Sequence, residues 1–257
     1  MNAELFTMKT WIILLCCWSM TMSSRHAVGQ SASGLEQVTA EMKKMKSFYE
    51  AHPLSFEIKY TYANEHDPAR VLDSLSGRVE MSGASYHCWL DSVETIRNDR
   101  YNIVLFKEDR IMYLTSAATS AAANPLQMMQ AALKQTGVSN CEVLYNGSNR
   151  VIRMFFREGA PYRQMEMTID TTSGYLLNTR CIVKTALLMD PSDNSDTAPA
   201  GEYDEYAIVQ ARFEHYHPIS ANTAGFDERF FFYKDGGEFV TTPAYKEYKI
   251  FVGTPNL

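Results

Sequence analysis

The sequence predicts a mainly β protein with some helix: one strongly curved antiparallel sheet, an unclosed half-barrel of about ten or eleven strands. An N-terminal helix and a mid-chain helix are expected to cover it. Three observations lead to this fold class. Apolar and polar residues alternate with period two along most of the chain. Turn-forming residues interrupt the alternation at short intervals. Aromatic residues, which favour strands, make up 12% of the 257 residues.

The N-terminal residues have the pattern of a secretory signal peptide. An apolar run at 11–22 follows Lys9, and the small residues Ala27 and Gly29 fit a cleavage site before Gln30. The run is too short for a membrane span, which needs roughly 20 apolar residues. Leu15 is too large to precede a lipidated Cys16. We therefore predict a signal peptide at 1–29, a single domain at 30–257 and a soluble periplasmic protein.

Two segments have helical periodicity instead. Ser33 and Glu36 form a capping box, and apolar residues then recur at three- and four-residue spacing until His52-Pro53, which predicts a helix over about 35–51. Asn124 and Pro125 begin a second helix that ends near Gly137.

The remaining segments are predicted strands. In the first, Phe56, Ile58, Tyr60 and Tyr62 alternate with polar residues, so one face is aromatic and the other polar. Hairpins are predicted at 78–90, 103–114 and 141–156, the last around an Asn-Gly turn. Strands at 165–169 and 175–185 flank a turn at 170–174, and the last three candidates are 205–216, 229–233 and 245–252.

Composition and motifs argue against several functions. The net charge of −6, without a long basic cluster, is unfavourable for nucleic-acid binding. The sequence lacks the nucleophile, phosphate-loop and metalloprotease motifs of common enzymes, so we predict no catalytic residues and no cofactor.

Metal binding is not expected either. His215 and His217, with His87 or Asp227, could in principle ligate a metal, but their spacing gives no complete ligand set. The acidic loop, which contains Asp190, Asp193, Asp196, Glu202, Asp204 and Glu205, lacks the glycine of a calcium loop. Cys88, Cys141 and Cys181 are interpreted as buried apolar residues, with one disulfide as the alternative.

The order of several segments resembles the LolA/LolB-like lipoprotein carriers. These segments are Gly77-Arg-Val-Glu-Met-Ser-Gly83, Tyr86, Glu94-Thr-Ile-Arg-Asn-Asp99, Ile103-Val-Leu-Phe, Arg110-Ile-Met-Tyr and the hairpin at 170–174. The resemblance covers most of the mature chain, although the segment 226–249 has no counterpart in it. It implies a periplasmic carrier or sensor that holds acyl chains in an apolar cavity.

Two hypotheses about function follow. The first is a carrier of a lipid or an acylated protein, with flexible methionines and aromatics lining the cavity. Its candidate ligand-binding residues are Phe56, Ile58, Tyr60, Tyr62, Met81, Met129, Met165 and Met167. The alternative is a non-enzymatic structural or sensing module of a cell-envelope complex, with a filled cavity and an exposed apolar patch or sheet edge for a partner.

Overall fold

The structure is a computed structural model, and it describes residues 32–117, 137–189, 203–220, 223–254 and 257. One helix, α1 (Ala32–Ala51), precedes the strands. The strands are β1 (Leu54–Asn64), β2 (Val71–Ser82), β3 (Ser85–Leu90), β4 (Val93–Arg97), β5 (Tyr101–Phe106), β6 (Ile111–Ser116), β7 (Val138–Asn146), β8 (Asn149–Phe156), β9 (Tyr162–Asp170), β10 (Leu176–Lys184), β11 (Tyr206–Pro218), β12 (Phe232–Asp235), β13 (Glu238–Thr241) and β14 (Lys249–Val252). Short 3₁₀ helices lie at Thr185–Leu187, Thr223–Phe226, Glu228–Phe230 and Pro243–Tyr245.

Twelve of the strands form one sheet that is not closed. Their order is β14-β6-β5-β4-β3-β2-β1-β11-β10-β9-β8-β7, and β12 and β13 form a separate hairpin. Neighbouring strands are antiparallel from β2 to β6 and from β7 to β11. The predicted mainly β class with one unclosed sheet is confirmed. The sheet has slightly more strands than expected, and it is mixed because β14 pairs with β6 in parallel.

Tight turns explain why successive strands pair. Gly83 and Gly147 have φ angles of 62° and 59° in the two-residue loops between β2 and β3 and between β7 and β8. Glycine adopts this left-handed conformation without steric cost, and such turns match the twist of the flanking strands. The hairpins predicted at 78–90, 103–114 and 141–156 are therefore present.

Several boundaries differ from the prediction. Helix α1 begins at Ala32, so Ser33 lies inside its first turn and does not precede the helix. The strand predicted at 229–233 is a 3₁₀ turn followed by β12, and the one at 245–252 shortens to β14. In both segments the aromatic residues do not alternate strictly with polar ones. Part of the backbone there is irregular, and the aromatic side chains pack against the neighbouring sheet face. Residues 124–136 of the second predicted helix and the predicted signal peptide lie outside the described residues.

The chain divides into two compact units. The first comprises the described parts of 1–46, 59–75 and 121–213, and the second those of 47–58, 76–120 and 214–257. Among the described residues, no helix is long and apolar enough to cross a membrane.

In the first unit, α1 contributes buried Val38, Met42 and Met45, and the strands contribute further fully buried side chains. These include Ile152, Met154, Met165, Met167 and Ile169. The core therefore lies between the helix and one sheet face.

The second unit has a core of its own. Ile96, Ile103, Leu105, Met112 and Leu114 of β4 to β6 cluster with Phe231 and Phe232. Further aromatics from the C-terminal segment, Phe239, Tyr245 and Tyr248, pack against this cluster. The segment 226–249, which the sequence resemblance left without a counterpart, thus covers the face of β4 to β6 that carries these residues.

Candidate functional site

Seven of the eight predicted ligand-binding residues are described, and they fall into two groups. Tyr60, Tyr62, Met165 and Met167 belong to the first unit, and Phe56, Ile58 and Met81 to the second. Each is at most 8% exposed except Tyr60, which is half-buried. Met129 lies outside the described residues. The prediction that these residues bind a ligand stays a prediction.

Methionines form a layer between α1 and the sheet in the first unit. Met154 of β8 lies opposite Met165 of β9 in the register. Residues directly opposite each other in antiparallel strands project to the same face. Met42 and Met45 of the helix are 2% and 3% exposed. The layer therefore consists of unbranched, flexible thioethers that adapt to different neighbours.

One ion pair lies among these apolar side chains. Glu41 of α1 is buried, and its Oε2 lies 2.8 Å from Nη1 of Arg150 on β8. Lys44, one turn further along the helix, places its Nζ 2.9 Å from Oε1 of Glu41. Because a buried charge needs a partner, this pair fixes which part of the helix lies over β8.

The first turn of α1 lies directly against the backbone of β7. A Cβ added at Gly34 would lie 2.4 Å from the backbone oxygen of Cys141. Only glycine allows this approach, so its backbone and that of β7 are in direct contact. Gly34 and the Glu41–Arg150 pair together hold residues 34–41 of the helix against the sheet.

The other face of β7 to β9 is polar. Arg153 donates from Nε to Glu166 at 2.7 Å and from Nη1 to Glu142 at 3.0 Å. The hydrogen bond to Glu166 raises the pKa of Arg153. This ion network across three strands marks the solvated face, opposite the methionine layer.

A groove of about 280 Å³ is present in the first unit. Three cationic side chains line it: Lys59 of β1, Arg180 of β10 and Arg212 of β11. Lys59 alternates with Tyr60, so the groove lies on the face opposite to the side chains of Tyr60 and Tyr62.

In the second unit, the last turn of α1 covers an aromatic cluster. The ring centroids of Phe56 and Tyr216 are 4.9 Å apart, and the hydroxyls of Tyr49 and Tyr216 are 3.0 Å apart. His215 has φ 54°, an unusual value outside glycine, which interrupts the alternation of β11. Phe56 is thus a core residue of the second unit.

A buried polar cluster links the C-terminal segment to β3 and β4. The Nε2 of His87 lies 2.7 Å from Oε1 of Glu94, and its Nδ1 lies 3.1 Å from the carbonyl oxygen of Gly225. Lys107 places its Nζ 3.0 Å from Oε2 of Glu94. Both partners of the imidazole are acceptors, so both contacts are hydrogen bonds only when the ring is protonated on both nitrogens.

The predicted metal candidates do not come together. His215 lies 2.9 Å from Oε2 of Glu57, and the ring of His217 contacts the carbonyl oxygen of His215. His87 is bound to Glu94 and Gly225 as described. In the part of the chain that the structure describes, no three His, Cys, Asp or Glu side chains form a group that could hold a metal ion. Of the acidic loop, only Asp204 and Glu205 are described.

In the described residues, Cys88, Cys141 and Cys181 are free thiols and form no disulfide with one another. Burial raises the pKa of the Cys88 and Cys181 thiols to about 12, and it also raises the pKa of Cys141. The thiolate is the nucleophilic form, so burial lowers the reactivity of these thiols at neutral pH.

Comparison with known proteins gives matches at the level of structure alone. No protein-family model and no curated protein matches the sequence. An uncharacterised conserved protein from Thermus thermophilus matches 73% of this chain and 91% of its own, with 9% identity and a TM-score of 0.43. A chain of the Pseudomonas aeruginosa MucA/MucB complex matches 80% of this chain and 63% of its own, with 11% identity and a TM-score of 0.42.

A LolA superfamily protein from Nitrosomonas europaea is also similar. It matches 76% of this chain and 99% of its own, with 10% identity and a TM-score of 0.33. All three matches have TM-scores below 0.5 and identities of 11% or less.

Sequence reasoning missed two features of these units. Lys59, Arg180 and Arg212 come together only because β1, β11 and β10 are neighbours in the sheet, which their spacing along the chain does not reveal. The partners of His87 lie 7 and 138 residues away. A sequence signal for the groove is that Lys59 and Arg212 each lie between two apolar residues of a strand.

Proposed function

We propose that this protein is a non-enzymatic lipid-binding protein that holds a lipid or the acyl chains of a lipoprotein. The ligand would lie in the methionine layer of the first unit, between α1 and the face of β8 and β9. The observation that carries the proposal is the concentration of thioethers at this place, from Met42 and Met45 on one side and Met154, Met165 and Met167 on the other. Thioethers repack around acyl chains more readily than branched side chains do.

The helix is the element that would have to move. Its apolar stripe contacts the sheet, while its opposite side is charged and solvated, so it can leave the sheet as an amphipathic unit. The Glu41–Arg150 ion pair and the Gly34 contact hold its first half against β7 and β8, so both would have to break when that half moves away. A bound acyl chain would replace the helix side chains over Met165 and Met167 and leave little apolar surface uncovered.

The same proposal covers location and partners. A signal peptide at 1–29 would export the chain to the periplasm, where lipids and acylated proteins are available as ligands. Oxidising conditions there are compatible with Cys88, Cys141 and Cys181, because each lies alone and is poorly reactive.

A fluorescent fatty acid tests the proposal. The wild-type protein should bind it saturably, and Met167→Glu should weaken binding at least tenfold, since a carboxylate would lie where the acyl chain does. Thr168→Glu, one residue further on the opposite face, is the matched control and should bind like the wild type. Absence of saturable binding, or equal losses in both variants, would contradict the proposal.

A second measurement does not depend on the folding of Met167→Glu. A fatty acid with a photoreactive diazirine at its chain end should label wild-type peptides that contain residues 34–46 or 162–170. Labelling confined to other peptides would contradict the proposed position.

One observation favours a second candidate function, a docking module of an envelope complex. Strand β7 stands at one end of the sheet, and Leu144 and Tyr145 near its end are 41% and 64% exposed. A terminal strand offers backbone groups for pairing with a strand of another protein. In that case Tyr145→Lys should abolish capture of the partner without changing fatty-acid binding, whereas for a carrier Met167→Glu is the damaging change.

A further inference from the structure

The groove on the first unit is lined by positively charged side chains. Lys59, Arg180 and Arg212 line it, and its lining contains no carboxylate among the described residues. In the same part of the chain, none of the three has an ion-pair partner. Other strand arginines of this unit are paired: Arg150 with Glu41, Arg153 with Glu142 and Glu166, and Arg163 with Glu65.

The sheet register keeps two of these cations close to each other. Arg180 lies opposite Gln210, and Arg212 is two residues further along β11, opposite Asn178. Diagonal neighbours of this kind lie within reach of long side chains, and like charges there repel each other. Glu166, opposite Arg180 on β9, is held by Arg153. In the described part of the chain, no carboxylate lies within ion-pair distance of these cations, although the protein as a whole carries a net charge of −6.

The groove also has an apolar side. Ile208 of β11 lines it and is buried, and Val71 at the start of β2 lines it and is 53% exposed. A ligand that fits both parts is an anion joined to an apolar group. The volume of about 280 Å³ is just below the roughly 300–1,000 Å³ typical of sites for drug-sized molecules, so it suits a headgroup better than whole acyl chains.

We propose that this groove binds a phosphate group, in the form in which a phospholipid headgroup presents it. The guanidinium groups of Arg180 and Arg212 match phosphate oxygens in geometry and charge, and Lys59 adds a third cation. The side-chain amide of Gln210 donates to a remaining oxygen, and Val71 and Ile208 contact the glycerol carbons. The site is on the opposite face from the acyl-chain site proposed above and does not rest on it.

Calorimetric titration with a short-chain, water-soluble phosphatidylglycerol tests the proposal, with inorganic phosphate as the second ligand. The wild type should bind the phospholipid, and binding should weaken as salt is raised. Arg180→Gln and Arg212→Gln should each weaken it about tenfold, and the double variant should abolish it. Lys43→Gln with Lys249→Gln, two exposed lysines away from the groove, is the control with the same charge change and should bind like the wild type.

The two phosphate sources give different results. If the phospholipid binds at least tenfold more tightly than inorganic phosphate, the result supports a headgroup site. Equal affinities would contradict a headgroup site and indicate a site for free phosphate. Absence of binding by both ligands, or undiminished binding in the double variant, overturns the proposal. The fluorescent fatty acid should bind the arginine variants as it binds the wild type, so failure here is distinct from failure of the carrier function.

Discussion

Glu41 of α1 and Arg150 of β8 form an ion pair, with 2.8 Å between Oε2 and Nη1, and their side chains are 6% and 18% exposed. This ion pair lies within an otherwise apolar layer. A buried pair of this kind adds little net stability over apolar residues of the same size, but removal of one partner leaves the other charge buried and unpaired.

The first prediction therefore concerns Glu41→Leu. We expect it to lower the free energy of unfolding by about 3 kcal/mol, because Arg150 loses its partner. Glu41→Leu with Arg150→Leu should recover most of this loss. Glu36→Gln, an exposed change on the same helix, should have little effect. Urea unfolding measures all three, and a double variant no more stable than Glu41→Leu would show that the pair is not the cause.

The contact of Gly34 with β7 gives the second prediction. Gly34→Ala puts a methyl group 2.4 Å from the backbone oxygen of Cys141, so the first turn of α1 must move away from the sheet. The higher helix propensity of alanine should not offset this clash. We expect faster hydrogen exchange at residues 34–41 and, if the helix covers the acyl-chain site, faster uptake of a fatty acid. Gly83→Ala is not a suitable control, because the φ angle of 62° at Gly83 would strain an alanine. The control is Ala40→Gly, on the exposed side of the helix, which changes helix propensity alone.

The buried carboxylate of Glu94 gives a prediction about pH. Burial acts to raise its pKa, but the hydrogen bonds and charges of His87 and Lys107 outweigh burial and hold the pKa of Glu94 below its usual value. A group whose pKa is lower in the folded state stabilises the fold above its unfolded pKa, about 4.3 for glutamate. That stabilisation is lost as the pH falls through the folded value.

Glu94→Gln should accordingly be about 2 kcal/mol less stable than the wild type at pH 7. The difference should shrink in thermal unfolding below about pH 4.3, where the wild type also begins to lose the charge-dependent stabilisation. Glu108→Gln, exposed in the turn between β5 and β6, should show no such change. A stability difference that stays constant from neutral pH to strongly acidic pH would contradict this assignment.

Comparison of particular elements shows what the sequence could predict. The alternation in β1 correctly separated buried Phe56 and Ile58 from exposed Glu57 and Lys59, since a period of two requires only local information. The Asn-Gly turn located the β7–β8 hairpin for the same reason. The parallel pairing of β14 with β6 depends on a connection that returns across many residues, and no local pattern encodes it.

The candidate site was harder to predict than the fold. Burial of Met165 and Met167 followed from alternation, but the division of the seven described residues between two units depends on pairing across the whole chain. The same pairing explains why local patterns do not bring Arg180 and Arg212 together. In the segment 226–249, aromatics such as Phe231 and Phe232 favour a strand by composition. In the structure most of this backbone is irregular, and the same side chains lie in the core of the second unit.

The last prediction tests whether the C-terminal segment is an integral part of the second unit. Phe232 is 2% exposed, with its ring centroid 5.1 Å from that of Tyr101 and 5.3 Å from that of Phe239. Phe232→Ala would remove a large side chain from this cluster and leave a cavity, at a cost of about 3–5 kcal/mol. Phe230, two residues earlier, is 58% exposed, so Phe230→Ala should change stability by less than about 0.5 kcal/mol.

Urea unfolding followed by limited proteolysis separates the two outcomes. If residues 226–249 belong to the core, Phe232→Ala should lower the midpoint of the whole second unit and expose sites in β4 to β6 together with sites in the segment. If the segment were an appendage, proteolysis would remove it from the variant and leave β4 to β6 resistant. Because Ile96, Ile103 and Leu105 would then face water, we expect the first outcome.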